Sequence, residues 1–217
     1  MTISNISKLE NTESFLQVNF EGGYRYIDTA GEILNLYEKE MKAYNMDPRQ
    51  LIISNPAKEI TEIKISVNDF WGHFISINRY TKSSSEKIAN IYIENARKVL
   101  KITSPGKFTR IGWRNYFIRE FKNPVDKIER LSEIVGGRVS DVGKKIELAD
   151  DVNAIINMKL LQQKKDQTKT AVLVDVDVYV EGDFNKISDV SVQLEKLRQA
   201  FLSKEILSHI NNLLESI

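Results

Sequence analysis

The sequence predicts an α+β fold in which helices cover one face of a mainly antiparallel sheet. Alternating apolar and polar residues indicate strands in most segments up to residue 182, and helical spacing of apolar residues is confined to a few stretches. In the first 121 residues the predicted elements follow the order β-α-β-β-α-β, which is the order of a split βαβ, ferredoxin-like unit. A short helix, a β-meander and long C-terminal helices are expected to continue it.

The first predicted strand and helix lie within residues 14–48. Residues 14–27, SFLQVNFEGGYRYI, are rich in β-forming residues and predict a strand. Thr29 and Glu32 then have the spacing of a helix capping box, and Asn45-Met-Asp47-Pro48 is expected to end the helix. The helical stripe between these signals consists of Ile33, Leu34, Tyr37, Met41 and Tyr44.

Residues 50–79 predict three strands, separated at Asn55-Pro56 and at a turn around Asn68-Asp69. A second capping-box pattern, Ser83–Glu86, precedes the clearest helix of the chain, which Ser104-Pro105-Gly106 is expected to end. The stripe of this helix consists of Ile88, Ile91, Tyr92, Ala96, Val99 and Leu100.

The next strand is predicted at residues 108–123, FTRIGWRNYFIREFKN, which combine arginines, aromatic residues and a glycine. Asn123 and Pro124 then begin a short helix, since proline is favoured at the first helical position. That helix is expected to end at Gly136-Gly137.

The C-terminal part leaves one element open, because residues 150–163 fit either a helix or a strand. A strand is preferred, since residues 170–180, TAVLVDVDVYV, alternate almost perfectly and offer a partner across a polar turn. The chain from Ser188 onward predicts helices, with Ser203 as a candidate cap for the second.

Composition predicts a globular protein, because 41% of the residues are hydrophobic and 28% are charged. Residues 1–217 are expected to form a single domain, with 14–122 and 123–217 as candidate sub-lobes. The absence of cysteine excludes disulfides and thiolate chemistry, and His73 and His209 alone are too few for a multi-histidine metal centre. No cofactor is expected.

Location is predicted from the start of the chain and from hydropathy. Residues 1–14 lack the basic segment and apolar core of a signal peptide. No apolar run approaches the ~20 residues that span a bilayer. The protein is therefore expected to be cytoplasmic, without a membrane partner, and its net charge of +1 gives no overall attraction to nucleic acid.

A candidate binding surface lies on the strand that follows Gly106. Side chains alternate between the faces of a strand, so Arg110, Gly112, Arg114 and Tyr116 share one face. Arginine forks suit phosphate or carboxylate groups, aromatic rings suit stacked bases, and a glycine leaves a notch beside the backbone. With Lys107 and Arg119 these residues form a candidate surface for single-stranded RNA or DNA, although the RNP1 signature of RNA-recognition domains is absent.

An internal role for the same arginines is also predicted, and it is the favoured interpretation. In LVDVDVYV the valines share one face, while Asp175, Asp177 and Tyr179 share the other. If the two strands are neighbours, Arg110 and Arg114 would pair with the aspartates across the sheet.

The same aspartates suggest a further alternative. Two carboxylates at positions i and i+2 of a strand can hold Mg²⁺, which predicts metal-dependent phosphoryl or nucleotidyl transfer on Asp175 and Asp177. No third carboxylate, base or phosphate-binding glycine loop accompanies them in the sequence. An enzyme is therefore not the expected class, and no catalytic residue is assigned.

The two motifs together resemble a sporadically distributed family of uncharacterised bacterial proteins. The resemblance rests on Arg110, Gly112, Arg114, Asp175 and Asp177, in an Arg-x-Gly-x-Arg strand followed by an Asp-x-Asp strand and a helical C-terminus, and it covers the C-terminal half. The chain differs from the family in having Asn-Tyr-Phe where the family tends to carry Tyr-x-Asn. The resemblance implies a bacterial or mobile-element origin and no particular chemistry.

The leading functional hypothesis is a non-catalytic protein-interaction module, or a subunit of a bacterial complex of the mobile-element or defence-associated kind. Its partner is expected to be another protein or a second copy of the chain. Single-stranded nucleic-acid binding through residues 107–119 is the alternative from a different class, and Mg²⁺-dependent transfer is the third.

Overall fold

The computed structural model describes residues 10–75, 82–121, 141–148, 151–162 and 170–215. It is a mixed α+β structure with one nine-stranded sheet in the order β2-β3-β4-β5-β1-β6-β9-β8-β7. Every pair of neighbouring strands is antiparallel. The strands are β1 Glu10–Phe20, β2 Ala43–Asp47, β3 Gln50–Ser54, β4 Ile60–Ser66, β5 Asp69–Ile75, β6 Phe108–Phe121, β7 Asp141–Glu147, β8 Asn153–Gln162 and β9 Thr170–Phe184.

The described helices connect and cover these strands. None of them is both long and apolar enough to cross a membrane. They are α1 Arg25–Asp28, α2 Ala30–Tyr37, α3 Lys82–Thr103, α4 Ile187–Phe201 and α5 Lys204–Glu215.

The core lies on one face of the sheet, because every second side chain of the central strands points under the helices. Tyr92 of α3 packs against Phe70 of β5, and Phe201 of α4 stacks on Phe117 of β6. The fully buried centre of this layer includes Trp113 and the even-numbered valines of β9. Alternation therefore placed the buried face of β6 and β9 correctly. One β-bulge departs from it, since a register shift between Phe108 and Arg110 buries Phe108 instead of Thr109.

The first predicted strand was wrong at its C-terminal end. β1 ends at Phe20, and residues 25–28 are helical. Gly22 has a φ of +74°, which favours glycine, and the chain reverses there. At Gly23 a Cβ would collide with the carbonyl oxygen of Val67 in the β4–β5 turn, so the close approach of these two backbones also requires a glycine.

The helix predicted after Thr29 is shorter than its apolar stripe indicated. α2 ends at Tyr37, and Tyr44 belongs to β2. The expected capping box was also wrong, because the Thr29 hydroxyl donates to the carbonyl of Arg25 and makes no cap hydrogen bond. Met41 instead packs against the core from the connection between α2 and β2.

Later elements follow the sequence more closely. β3, β4, β5, α3 and β6 are all present, although α3 begins at Lys82, so that Ser83 lies inside its first turn. The open choice at residues 150–163 is a strand, β8, and the Ser203 hydroxyl accepts the amide N–H of Ile206 at the start of α5. β7 was not recognised in the sequence. The predicted helix after Asn123 and the polar turn at 164–168 lie outside the described residues.

Candidate functional site

The open face of the sheet, which we define as the face opposite Trp113, carries the predicted arginines and aspartates. Helices α3 and α4 contact the other face, where Tyr92 packs against Phe70 of β5 and Phe201 against Phe117 of β6. In the centre of the sheet, β1 lies between β5 and β6, and β9 flanks β6. Side chains from these four strands therefore form a continuous surface on the open face.

Two ion pairs connect β6 with β9 on this face. Arg114 donates from Nε to Oδ1 of Asp175 at 2.7 Å and from Nη2 to Oδ2 at 2.5 Å, which is a bidentate arrangement. Arg110 donates from Nη2 to Oδ2 of Asp177 at 2.8 Å. The predicted pairing of arginines with aspartates is therefore present. Each arginine reaches diagonally, since the strand register puts Arg114 directly opposite Asp177.

The notch at Gly112 is filled by the protein itself. The Arg110 guanidinium extends along the strand over position 112, stacks on the Tyr179 ring at 4.5 Å and ends at Asp177. A Cβ on Gly112 would lie 2.7 Å from Nη1 of Arg110. The glycine thus gives room to an arginine of the same strand, where the sequence had suggested room for a ligand.

Aromatic rings from β1 and β5 border the arginines. The ring of Phe15 stacks on His73 at 4.4 Å with an interplanar angle of 4°, and it contacts Trp71 at 5.3 Å and Tyr116 at 5.3 Å. The guanidinium of Arg114 lies 5.1 Å from the Tyr116 ring. We call these five residues, Phe15, Trp71, His73, Arg114 and Tyr116, the aromatic–arginine cluster.

A groove of about 350 Å³ runs beside this cluster. Its walls come from β1 and β5 on one side and from β6 and β9 on the other. The groove therefore depends on the pairing of β1 with β6, which brings the two sides together. The lining residues are Phe15, Gln17, Trp71, Arg110, Gly112, Arg114, Tyr116 and Asp177.

The charges on the open face are largely compensated within the face. Lys64 lies 3.4 Å from Asp69, and His73 Nε2 lies 3.4 Å from Glu13 without hydrogen-bond geometry. The hydrogen bonds and charge of Asp175 raise the pKa of Arg114, which favours the charged form of this guanidinium. Burial, followed by the charge of Asp175, raises the pKa of the Tyr116 hydroxyl.

The remaining predicted binding residues lie away from the groove or outside the description. Lys107 pairs with Asp183 at 2.5 Å, and this hydrogen bond raises the pKa of its exposed ammonium group. Arg119 belongs to β6, opposite Val172, and its side chain lies outside the described part of the structure. Lys107 does not line the groove described above.

Asp175 and Asp177 each accept hydrogen bonds from an arginine, which occupies carboxylate oxygens that a cation would need. Among the described residues, no group of three or more histidine, aspartate or glutamate side chains could hold a metal ion. No observation on the described residues therefore favours Mg²⁺ at this pair.

The sequence did not predict the contribution of β1 and β5 to this surface. Phe15 and Trp71 are half-buried and alternate with buried residues of their strands, so they face away from the core. Their position beside Arg114 depends on β1 pairing with β6, a contact between residues about 100 positions apart in the chain. A single sequence contains no signal for that pairing.

The comparisons with known proteins add no homologue. No protein-family model matches the chain, and no curated protein sequence matches it significantly. The family resemblance of the Arg-x-Gly-x-Arg and Asp-x-Asp motifs therefore stays a prediction.

Proposed function

We propose that the chain is a non-catalytic protein-interaction module, a subunit of a cytoplasmic bacterial complex, and that it binds a protein partner on the open face of its sheet. The observation that carries this proposal is the aromatic–arginine cluster, in which half-buried aromatic rings lie beside an arginine whose charge is already paired. Tryptophan, tyrosine and arginine are the residues most enriched among the side chains that dominate protein–protein binding energy.

Charge compensation favours a protein over a polyanion. A phosphate that approached Arg110 or Arg114 would also approach Asp177 or Asp175, and the carboxylates would repel it. An apolar or aromatic side chain of a protein could instead enter the groove against Trp71 and Phe15 without separating the ion pairs. Carbonyl groups of the same partner could accept hydrogen bonds from the N–H groups of Arg110 that do not donate to Asp177.

The fold supports this use of the surface. β4-β5-β1-β6 are consecutive and antiparallel, and the connections β1-α1-α2-β4 and β5-α3-β6 interleave two βαβ units. We infer a ferredoxin-like arrangement of these elements, into which β2 and β3 are inserted. The continuity of the sheet from β6 into β9 supports a single domain, in which one face of β6 is left open for a partner.

The test is affinity capture with the tagged full-length chain and its Trp71→Ala variant, followed by a titration with the purified protein that is captured. We expect the variant to weaken binding by 10-fold or more, which corresponds to about 1.4 kcal/mol. Val192→Ala is the matched control, because Val192 is a well-exposed apolar residue of α4 and lies on another element.

The proposal is wrong if the Trp71→Ala variant binds the captured protein as tightly as the wild type does. It is also wrong if wild type and both variants capture the same proteins in the same amounts. Turnover of a substrate by the purified chain would contradict the non-catalytic part of the proposal.

Single-stranded nucleic acid is the second candidate, and one observation favours it. Phe15, Trp71 and Tyr116 present ring faces and edges beside two guanidinium groups, which is the combination that stacks bases and attracts phosphates. A fluorescence-anisotropy titration with oligo(U) and oligo(dT), at low and at physiological salt, tests it. This candidate predicts salt-dependent binding that Trp71→Ala and Arg114→Ala both weaken, and an absence of binding at low salt would exclude it.

A further inference from the structure

The two edges of the sheet differ in how they are protected against pairing with another strand. Edge strands commonly carry lysines or other charges that prevent such pairing. β7, at one edge, exposes Lys144, Lys145 and Glu147. β2, at the other edge, reads Ala-Tyr-Asn-Met-Asp and has its only charge at its last residue. The carboxylate of that residue, Asp47, accepts the N–H groups of the following turn.

The apolar residues of β2 continue the core past its helical cover. Tyr44 lies opposite Ile53 and Met46 lies opposite Leu51 in the register with β3. Ile53 and Leu51 are buried, whereas the side chains of Tyr44 and Met46 are 58% and 43% exposed. β2 thus extends the buried face of the sheet by a strand that the described helices do not cover.

The exposed apolar residues of the described chain are concentrated near this edge. α1 is tied to the β2–β3 turn, because the hydroxyl of Tyr26 donates to the carbonyl of Pro48. Tyr24, the N-cap residue of α1, and Ile27 within α1 are exposed large apolar residues. Those between residues 24 and 46 are Tyr24, Ile27, Leu36, Tyr44 and Met46.

We propose that β2 pairs with β2 of a second copy of this chain, antiparallel about a twofold axis, so that two sheets join into one. The twofold axis passes midway between Asn45 of one copy and Asn45 of the other, so that these two residues face each other. Ala43 then faces Asp47, and Tyr44 faces Met46, in both directions. In this register all five residues of β2 are paired.

The sequence of β2 is complementary to itself in this register. The ring of Tyr44 meets the thioether of Met46, and sulfur–aromatic contacts of this kind are favourable. The two Asn45 amides can donate to and accept from each other on the other face. No like charges oppose each other, because Asp47 faces Ala43.

Shifted registers are less favourable. Side chains on one face must stay on that face, so the register can slip only by two residues. A slip that centres the axis on Tyr44 leaves Ala43–Asn45 as the only paired part of β2, and a slip to Met46 leaves only Asn45–Asp47. Both slips also separate Tyr44 from Met46. A partner protein with an unrelated edge strand would have none of this self-complementarity, which is why the second copy is the favoured occupant.

Single cysteines test the register directly, because the chain contains no cysteine of its own. Directly opposed residues of an antiparallel pair have Cα atoms about 4.5–5.5 Å apart, which lies within the range of a disulfide. We expect Asn45→Cys to form a disulfide dimer rapidly under mild oxidation, as read on a non-reducing gel. Asn212→Cys, at an exposed asparagine of α5, is the matched control and is expected to form no disulfide-linked dimer on the same gel.

Light scattering after size-exclusion chromatography tests the interface without a crosslink. We expect the wild type to dimerise as its concentration rises and the Met46→Lys variant to remain monomeric with an unchanged circular dichroism spectrum. A wild type that is monomeric at all concentrations, a Met46→Lys variant that still dimerises, or equal crosslinking of the two cysteine variants would overturn the proposal. Trp71→Ala is expected to dimerise as the wild type does, which separates this interface from the open face.

Discussion

The two faces of β6 differ in the kind of contact that holds their side chains in place. On the core face, Trp113 is fully buried under the helices, and it lies opposite the buried apolar residues Leu16 of β1 and Val178 of β9. On the open face, Arg110 and Arg114 are partly exposed, and each contacts a specific carboxylate and a specific ring. The same strand therefore has one face that is constrained by volume and one that is constrained by individual polar contacts.

This difference teaches where function can be accommodated in such a sheet. When a substitution changes the volume of a side chain on the core face, the neighbouring side chains cannot move to compensate, because protein interiors are close-packed. A change on the open face can be absorbed by solvent and by flexible side-chain ends. Each face of the sheet has a tryptophan and a glycine and is in contact with a tyrosine, so matched substitutions can measure the difference.

The largest difference is expected between the two tryptophans. Trp113→Ala removes a fully buried ring and should lower the free energy of unfolding by about 3–5 kcal/mol. Trp71→Ala removes a half-buried ring from the open face and should cost about 1 kcal/mol. Urea titrations followed by circular dichroism measure both values.

A cost for Trp71→Ala equal to that of Trp113→Ala would show that the open face is covered in solution. In that case the concentration dependence of the transition would be measured in the Met46→Lys variant, which cannot dimerise through β2. A concentration-dependent midpoint in this variant would show that a second copy covers the open face, since dimers unfold at a concentration-dependent midpoint.

Two glycines provide a smaller difference of the same kind. A Cβ on Gly72, which lies on the core face, would be 2.9 Å from the ring of Tyr92. Tyr92 is fully buried and donates its hydroxyl to the carbonyl of Phe70, so the ring has nowhere to move. Gly72→Ala should therefore cost about 1–3 kcal/mol, as overpacked cores do.

Gly112→Ala should cost less than 1 kcal/mol, because the atom it meets is the flexible end of Arg110. Urea titrations of the two variants give the comparison. If Gly112→Ala proved more destabilising than Gly72→Ala, the contacts of Arg110 with Tyr179 and Asp177 would contribute more to stability than the packing of Tyr92 against Gly72.

The sequence predicted the fold best where alternation is long. β9 has buried valines at every second position, and its burial follows the pattern directly. Prediction failed between Gly22 and Asp47, where local patterns conflict with tertiary contacts. Tyr44 continues the helical spacing of Ile33 and Tyr37, yet it is in a strand because β3 offers Tyr44 and its neighbours a pairing edge. That edge is not a property of residues 43–47 themselves.

The site was predicted in part for the same reason. The pairing of Arg114 with Asp175 followed from alternation in two strands that happen to be neighbours. The contribution of Phe15 and Trp71 required the strand order, and the role of Gly112 required the path of the Arg110 side chain. Both depend on tertiary structure, since the strand order joins distant segments of the chain and the path of Arg110 is a side-chain conformation.

The smallest expected difference concerns the tyrosines and alkaline pH. Burial raises the pKa of Tyr92 on the core face, and it raises the pKa of Tyr116 on the open face, where the charge of Asp175 adds to the effect. In the unfolded chain both hydroxyls deprotonate near pH ~10. Above that pH the unfolded state binds fewer protons than the native state, so the free energy of unfolding falls as the pH rises. Below it, these groups contribute no pH dependence.

Urea titrations between about pH 8 and pH 11 measure this decline, which spans the ordinary tyrosine pKa of ~10. Tyr92→Phe should make the decline shallower, and Tyr116→Phe should change it less, because Tyr116 remains partly solvated. The slopes are compared rather than the values near neutral pH, since Tyr92→Phe also removes the hydrogen bond to Phe70, worth about 1 kcal/mol. A larger change of slope for Tyr116→Phe would mean that partial burial and the charge of Asp175 together raise the Tyr116 pKa more than full burial raises that of Tyr92, and the expected order of the two faces would then be wrong.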